Sequence, residues 1–258
     1  MTEENHSILT FSEVLDKLQR KEWFKNTDEG IQTALLTLPE DFLGFLTDLV
    51  NRPDELSYSE ITRMLDLKFG KFLLLPVFEV RSTETNQVST YEYAASKYGG
   101  QSRFRGLLLI EKKGKIEYFI LAKTEKFPLA RFVYEAIGGF IEYRNNKLEN
   151  MPKNIEDSIK TQLGLSELKI KKFIDLGTIA PDSSTTDKEA ALFAAIIDGT
   201  EATGLENIAD KTMFTHKLGY KVEIIPISKL REYITQVEDS FFLAIILRLI
   251  SLGVLKLS

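Results

Sequence analysis

Apolar residues recur at helical spacing in the first fifty residues of the chain. Two sets share the i, i+3, i+4, i+7 pattern of an amphipathic helix: Phe11, Val14, Leu15 and Leu18, then Phe42, Phe45, Leu46 and Leu49. The segment Ser57–Glu60 has the form of a capping box and precedes Ile61, Met64 and Leu65, which predicts a further short helix at 58–67. Residues 1–70 are therefore expected to form a helical N-terminal region.

The pattern changes at Phe72, where short β-prone apolar runs begin to alternate with turn residues. Strands are predicted at Phe72–Val80, Gly106–Glu111, Glu117–Lys123, Ala191–Ile197 and Val222–Pro226, and helices at 154–163, at Ser228–Thr235 and from Asp239. The polar residues 83–101 are consistent with either a long loop or an irregular hairpin. Strands mixed with a few helices predict a layered α+β or α/β domain over residues 71–258.

Composition excludes several kinds of chemistry. The chain has no cysteine, so it forms no disulfide and has no thiol nucleophile. Its two histidines are His6, in a polar tail, and His216, beside Lys217, which gives little basis for an imidazole metal centre. The first residues are polar and acidic, unlike a secretory signal, and the apolar run 241–257 is shorter than the roughly 20 residues that a membrane-spanning helix needs. A cytoplasmic protein with no membrane partner is expected.

The acidic residues are concentrated at the N-terminal end of the chain. Residues 1–70 carry 7 Lys and Arg against 14 Asp and Glu, whereas the remainder carries 26 against 24. An acidic region repels a phosphate backbone, so nucleic acid is not an expected partner. The N-terminal helices are better suited to contact a protein partner or a second protomer.

Several separated motifs follow one another between residues 72 and 258. They are Ala136-Ile-Gly-Gly-Phe-Ile-Glu142, Gly164-Leu165, Pro181-Asp-Ser-Ser-Thr-Thr-Asp-Lys-Glu189 and Glu238-Asp-Ser-Phe-Phe-Leu-Ala244. In this order they resemble the Nudix hydrolase superfamily, particularly its ADP-ribose and nucleotide-sugar pyrophosphatase branch. The resemblance implies an α/β/α sandwich with a mixed sheet, a diphosphate ligand and a homodimer.

The Nudix box reads G-x5-E-x7-R-E-U-x-E-E-x-G-U, where U is a bulky aliphatic residue, and its carboxylates bind Mg²⁺. Aligned with this pattern, Asn145 stands at the first glutamate and Asp157 at the arginine, while Ser158, Thr161 and Gln162 stand at the three helix glutamates. Neutral hydroxyl and amide oxygens do not offset the charge of the ion. The resemblance therefore implies a degenerate box with no metal site and no cofactor.

Ligand binding does not require these carboxylates. Gly138 and Gly139 could adopt positive φ and bring the backbone close to a ligand. The cations Arg105, Lys123, Lys126 and Arg131 are candidates for phosphate contacts, with Lys126 and Arg131 preferred, and Phe127, Phe132 and Tyr134 are candidates for a base or ribose face. The expected ligand is a nucleotide diphosphate of the ADP-ribose or NDP-sugar type, bound without efficient hydrolysis by a sensor or interaction module.

Three alternatives remain open from the sequence. The first is an active pyrophosphohydrolase in which Glu142 and Glu189 supply displaced carboxylates for Mg²⁺ or Mn²⁺. The second is a different reaction on the same fold, since Nudix-like domains also occur in nucleotide-sugar 2,3-dehydratases. The third is a purely structural domain with an empty cleft.

Overall fold

The computed structural model describes residues 9–100, 103–140, 153, 155–157, 159–160, 170–199, 213–215 and 218–256. By their contacts the residues divide into two compact units. The first unit comprises residues 1–102, 145–147 and 182–189, and the second comprises 103–144, 148–181 and 190–258. The boundary predicted at residue 70 lies in the turn between the first two strands of the first unit.

Helices occupy the N-terminal part of the first unit: α1 is Phe11–Arg20, α2 is Glu22–Lys25, α3 is Glu29–Leu36 and α4 is Leu43–Asn51, with a 3-10 turn at Glu40–Phe42. α1 begins with a capping box in which Thr10 and Glu13 satisfy each other's backbone N–H groups. The two helical patterns of the sequence are thus confirmed as α1 and α4.

A small antiparallel sheet completes the first unit. Its strands are β1 (Ser59–Phe69), β2 (Leu73–Ser82), β3 (Val88–Glu92) and β4 (Ala95–Ser96), and β2 pairs with the other three. Helices and sheet enclose one apolar core that includes Trp23, Phe45 and Phe78. The hairpin of β2 and β3 accounts for most of the polar stretch 83–101.

The helix predicted at 58–67 is wrong, because these residues belong to β1. The pairing of β1 with β2 shifts register between Ile61 and Arg63 and again between Met64 and Asp66. Each extra residue interrupts the two-residue alternation of a strand. As a result, Ile61, Met64 and Leu67 face the core at three-residue intervals, which imitates the spacing of a helix.

The second unit contains a larger mixed sheet. Its strands are β5 (Arg103–Lys112), β6 (Lys115–Lys126), β7 (Arg131–Glu135), β8 (Ile137–Phe140), β9 (Ile170–Ile179), β10 (Ala190–Asp198), β11 (Met213–Thr215) and β12 (Leu218–Pro226). The order is β11-β12-β6-β5-β10-β9, with β7 on β6 and β8 on β5. β10 runs parallel to β5, and the other described pairs are antiparallel.

Helices cover both faces of this sheet. On one face Leu107, Leu109 and Phe119 pack against α5 (Leu230–Gln236) and α6 (Ser240–Ser251), where Leu230, Phe242, Ile245 and Leu249 are buried. A 3-10 turn at Ile227–Lys229 precedes α5. On the other face Leu108, Ile110 and Ile120 pack with Ile155 and Ile159, which are helical. This layering confirms the predicted α+β class with an N-terminal helical region.

The predicted strands correspond to β2, β5, β6, β10 and β12, and the last two predicted helices to α5 and α6. β7, β8 and β9 were not predicted. Among the described residues, no helix has both the length and the apolar character that crossing a bilayer requires.

Candidate functional site

The helix predicted at 154–163 is seen in part. Residues 153, 155–157 and 159–160 are helical, and we refer to them as the partial helix. Ile155 and Ile159, one turn apart, are almost fully buried against the sheet and anchor it. Its polar side carries Lys160, whose Nζ lies 2.6 Å from the Glu156 carboxylate and 3.9 Å from that of Asp157. A single lysine thus lies near both described carboxylates of the partial helix, and Glu156 is its closer partner.

Most of the predicted box lies outside the described residues. This holds for Glu142, Asn145, Ser158, Thr161 and Gln162, so their predicted roles stay predictions. Within the described ranges, no three acidic, histidine or cysteine side chains are grouped so that they could hold a metal ion.

Gly138 and Gly139 lie in β8, where they pair with Arg105 and Phe104 of β5. The positive φ expected for them is wrong, because the glycines with positive φ in the described residues are Gly99, Gly114, Gly177 and Gly253. Gly138 instead leaves room for a neighbouring side chain. A Cβ atom there would lie 2.0 Å from Nη1 of Arg105 and 2.6 Å from the backbone oxygen of Phe104, and the backbone contact, which cannot give way as the arginine can, requires glycine.

Arg105 packs between β8 and the start of α6. Its guanidinium lies 5.4 Å from the ring centroid of Phe241, a cation–π distance. Asp239, the N-cap of α6, accepts hydrogen bonds from the backbone of Phe241 and Phe242 and, at 2.7 Å, from the N–H of Ala136. Burial raises the pKa of Asp239, while the charge of Arg105 lowers it. Arg105 thus balances the N-cap carboxylate, and its predicted phosphate contact stays a prediction.

The two preferred phosphate contacts, Lys126 and Arg131, face each other across the end of the β6–β7 hairpin. Nζ of Lys126 lies 2.7 Å from the Glu135 carboxylate, and the guanidinium of Arg131 pairs with Glu238. The Arg131 pair is more than half exposed on both sides, at 52% and 59%. An exposed ion pair contributes only about 0–1 kcal/mol, so a phosphate oxygen can replace Glu238 at little cost, whereas Lys126 and Glu135, at 34% and 18% exposed, form a partly buried pair.

Lys123 and Tyr134 belong to a second polar group on the same hairpin. The Tyr134 hydroxyl donates to Glu223 at 2.9 Å, and Nζ of Lys123 lies 5.1 Å from the Tyr134 ring centroid. Tyr233 packs edge-on against Tyr134 at 5.5 Å. Burial, reinforced by the bond to Glu223, raises the pKa of Tyr134. The hydroxyl and the ring of Tyr134 therefore already have partners within the protein.

Glu189, the predicted base or ligand, belongs to the first unit. Its backbone N–H donates to the carbonyl of Gly100 at 2.9 Å. Two further carboxylates hold the same turn: Asp48 accepts from the N–H of Gly100 at 2.7 Å, and Asp187 accepts from that of Ser96. Burial raises the pKa of Asp48, and the charge of Glu189 adds to this effect. Arg105, Lys126 and Arg131 belong to the second unit.

Sequence reasoning missed the acidic partners of the candidate site. Glu135 pairs with Lys126, and Glu238 pairs with Arg131. Asp48 lies close enough to Glu189 for the charge of Glu189 to raise its pKa, and Asp187 belongs to the same segment as Glu189. The helix start at Glu238-Asp-Ser240 was a usable signal for Asp239, since an N-cap position is recognisable in sequence. Nothing local in the sequence joins Asp48 to Asp187 or Arg131 to Glu238.

No family model and no curated protein matches the sequence. Among solved structures, the chain is similar to one described as the crystal structure of an ADP compounds hydrolase. The alignment covers 79% of this chain and 100% of that chain, with 11% sequence identity and a TM-score of 0.49. At this identity no residue role is transferred from that protein to this chain.

Proposed function

We propose that this chain is a Nudix-fold protein that binds a nucleotide diphosphate, of the ADP-ribose or NDP-sugar type, without efficient hydrolysis. The observation that carries the proposal is the pairing of Glu156 and Asp157 with Lys160 on the partial helix. Mg²⁺ is usually bound through one or two carboxylates, and the ion pair with Lys160 makes Glu156 less available for that purpose. The sequence supports the same proposal, because the neutral residues Asn145, Ser158, Thr161 and Gln162 stand at the positions of the box glutamates.

Binding is assigned to the end of the β6–β7 hairpin. Lys126 and Arg131 lie side by side there, and among the described residues each pairs with one carboxylate, of which the exposed partner of Arg131 contributes little. A diphosphate carries more negative charge than either glutamate, and arginine can contact two of its oxygens at once. The hairpin therefore offers two adjacent cations that are already desolvated in part and held in place.

Such a protein would act as a sensor or an interaction module. The ligand would bind to the second unit, and the helices of the first unit would contact a protein partner or a second protomer. The acidic surface expected for residues 1–70 suits a partner with basic residues.

Isothermal titration against ADP-ribose, NAD and NDP-sugars tests the binding, and a phosphate-release assay with Mg²⁺ or Mn²⁺ tests the lack of hydrolysis. We expect heat with at least one of these ligands and no turnover. Absence of heat with all of them contradicts the proposal. Metal-dependent hydrolysis that is lost in Glu142→Gln or Glu189→Gln would establish the active pyrophosphohydrolase instead.

A further inference from the structure

The three aromatic residues considered for a base or ribose face differ sharply in their surroundings. Tyr134 is hydrogen-bonded to Glu223 and packed on Tyr233. Phe132, on β7, is 52% exposed. Phe127 is 85% exposed, more than any other large hydrophobic residue among those described. Only Phe127 presents a ring that is almost entirely available to a ligand.

The loop that carries Phe127 has a fixed conformation. Residues Phe127–Leu129 form a 3-10 turn with Pro128 near its start, and the N–H of Ala130 donates to the carbonyl of Phe127 at 3.2 Å. Proline restricts the backbone before any ligand binds. Ala130 has φ +52, a left-handed conformation that costs a residue other than glycine about 1–2 kcal/mol. Strain of this kind, when it holds a group in an exposed position, is a mark of functional sites.

Cations bound the loop that carries Phe127. Lys126 precedes Phe127 directly, and Arg131 closes the loop opposite Lys126. An exposed aromatic ring in a loop bounded by two cations fits a ligand with a flat apolar part and an anionic part. A nucleotide has both, since a base stacks on aromatic rings and its phosphates pair with Lys and Arg.

We infer that the ring of Phe127 is the surface on which the base of the bound nucleotide stacks. The inference rests on the proposed function, because the same loop supplies Lys126 and Arg131 to the diphosphate. Stacking on a phenylalanine ring involves no hydrogen-bond readout, so it accepts any base. The expected ligand is therefore a nucleoside diphosphate derivative, and the protein should bind derivatives of different bases with similar affinity.

Substitution by tryptophan provides a direct test of stacking. Trp23, the single tryptophan of the chain, is 1% exposed, so Phe127→Trp adds the only exposed indole in the described residues. We expect ADP-ribose to quench the added fluorescence saturably, and pyrophosphate, which has no base, to leave it unchanged. Phe72→Trp, at a 53% exposed ring of the first unit, is the matched control and should not respond.

Calorimetry on Phe127→Ala measures the contribution of the ring. Loss of one base–aromatic stack weakens binding by about tenfold or more, so we expect that change for ADP-ribose and none for pyrophosphate. Equal affinity of wild type and Phe127→Ala for ADP-ribose overturns the inference and leaves the proposed function standing. No binding by the wild type removes the proposed function itself.

Two further measurements test other occupants of the ring. Sedimentation velocity of wild type and Phe127→Ala shows whether the ring packs against a second copy, and flotation with phosphatidylserine vesicles shows whether it enters a membrane surface. We expect no difference between the proteins in either assay. Self-association or vesicle binding that Phe127→Ala abolishes overturns the assignment to a nucleotide base.

Discussion

Asp187 accepts a hydrogen bond from the backbone N–H of Ser96, and both of its carboxylate oxygens lie within reach, at 3.3 and 3.2 Å. The contact joins residues 182–189 to the end of the small sheet in the first unit. It is reinforced by the N–H of Ala94, which donates to the carbonyl of Thr185 at 2.8 Å, and by the Tyr91 hydroxyl, which donates to Ser184 at 3.0 Å. The segment is thus held by several bonds, and among these three the bond of Asp187 is the one that involves a carboxylate.

Stability should depend on pH through Asp187. Burial, with a contribution from the charge of Asp48, raises its pKa from 3.8 to about 6. Because the folded state binds this proton more tightly than the unfolded chain does, the stabilisation is complete below about pH 3.8 and is lost as the pH rises through about 6. Asp187→Asn keeps the acceptor for Ser96 without the charge. We expect it to be more stable than wild type by about 1–2 kcal/mol in urea denaturation at about pH 7, and equally stable at about pH 4.

Asp182 provides a control of opposite sign in the same segment. The hydroxyls of Thr185 and Ser184 donate to its carboxylate and lower its pKa. A lowered pKa gives stability that is present at neutral pH and lost as the pH falls through the folded-state value. Asp182→Asn should therefore be less stable than wild type at neutral pH. If both variants were more stable than wild type by the same amount, the stabilisation by Asp187→Asn would not arise from removal of the Asp187 charge.

Arg248 of α6 holds an irregular part of the edge strand β9. Its guanidinium donates to the carbonyls of Leu176 and Thr178, on either side of Gly177, which has φ +74. Arg248→Ala leaves both carbonyls without this donor and should reduce the free energy of unfolding by about 1–3 kcal/mol. Arg231→Ala, at an exposed position of α5, should change it by less than about 0.5 kcal/mol. Equal effects in urea denaturation would contradict the role of Arg248.

Gly44 of α4 lies against the backbone of the turn that follows β4. A Cβ atom at this position would be 2.2 Å from the carbonyl carbon of Tyr98 and 2.7 Å from the nitrogen of Gly99. Backbone atoms cannot give way as a flexible side chain can, so we expect Gly44→Ala to cost about 3 kcal/mol or more, or to prevent folding. Gly30→Ala, in α3, would meet only the side chain of Asp28 at 3.0 Å and should remain folded. Circular dichroism and urea denaturation distinguish the two variants.

The carboxylates that pair with Lys126 and Arg131 should compete with a bound phosphate. Glu135→Gln and Glu238→Gln remove this competition, and we expect each to tighten ADP-ribose binding by roughly two- to fivefold. Lys126→Ala and Arg131→Ala should weaken it, more strongly at low salt, where screening is less. Titration calorimetry at two salt concentrations measures both effects. Weaker binding in both glutamine variants would place the ligand elsewhere.

The sequence pattern predicted helices with a clear apolar face and strands that are continuous apolar runs. α1 and α4 have such a face, whereas β5 and β10 are buried along most of their length, and all four were recognised. β1 was taken for a helix because its two register shifts bring Ile61, Met64 and Leu67 to one face. β8 is short, and its Gly138-Gly139 pair suggested a turn. The failure is physical, since a bulge changes the residue spacing on which the prediction depends.

For the candidate site, the sequence predicted which residues have suitable chemistry, and it did not predict which residues they contact. Lys126 and Arg131 were identified as the preferred phosphate contacts, and the structure places them opposite each other. Their partners could not be identified, because Arg131 and Glu238 lie 107 positions apart in the sequence. In the same way, only the fold brings Asp187 to Ser96 and the charge of Glu189 close to Asp48.

The parallel pairing of β5 with β10 has a consequence for synthesis of the protein. The central strands of the larger sheet come from distant parts of the sequence, and the segment 182–189 that completes the smaller unit emerges from the ribosome just before β10. A nascent chain that stops short of β10 cannot close the core of the second unit, because Leu192, Ala194 and Ile196 belong to it, whereas the buried residues of the first unit's core all lie between Val14 and Ala95. Folding of the second unit therefore waits until β10 has been synthesised, and premature termination leaves its apolar strands exposed to chaperones and proteases.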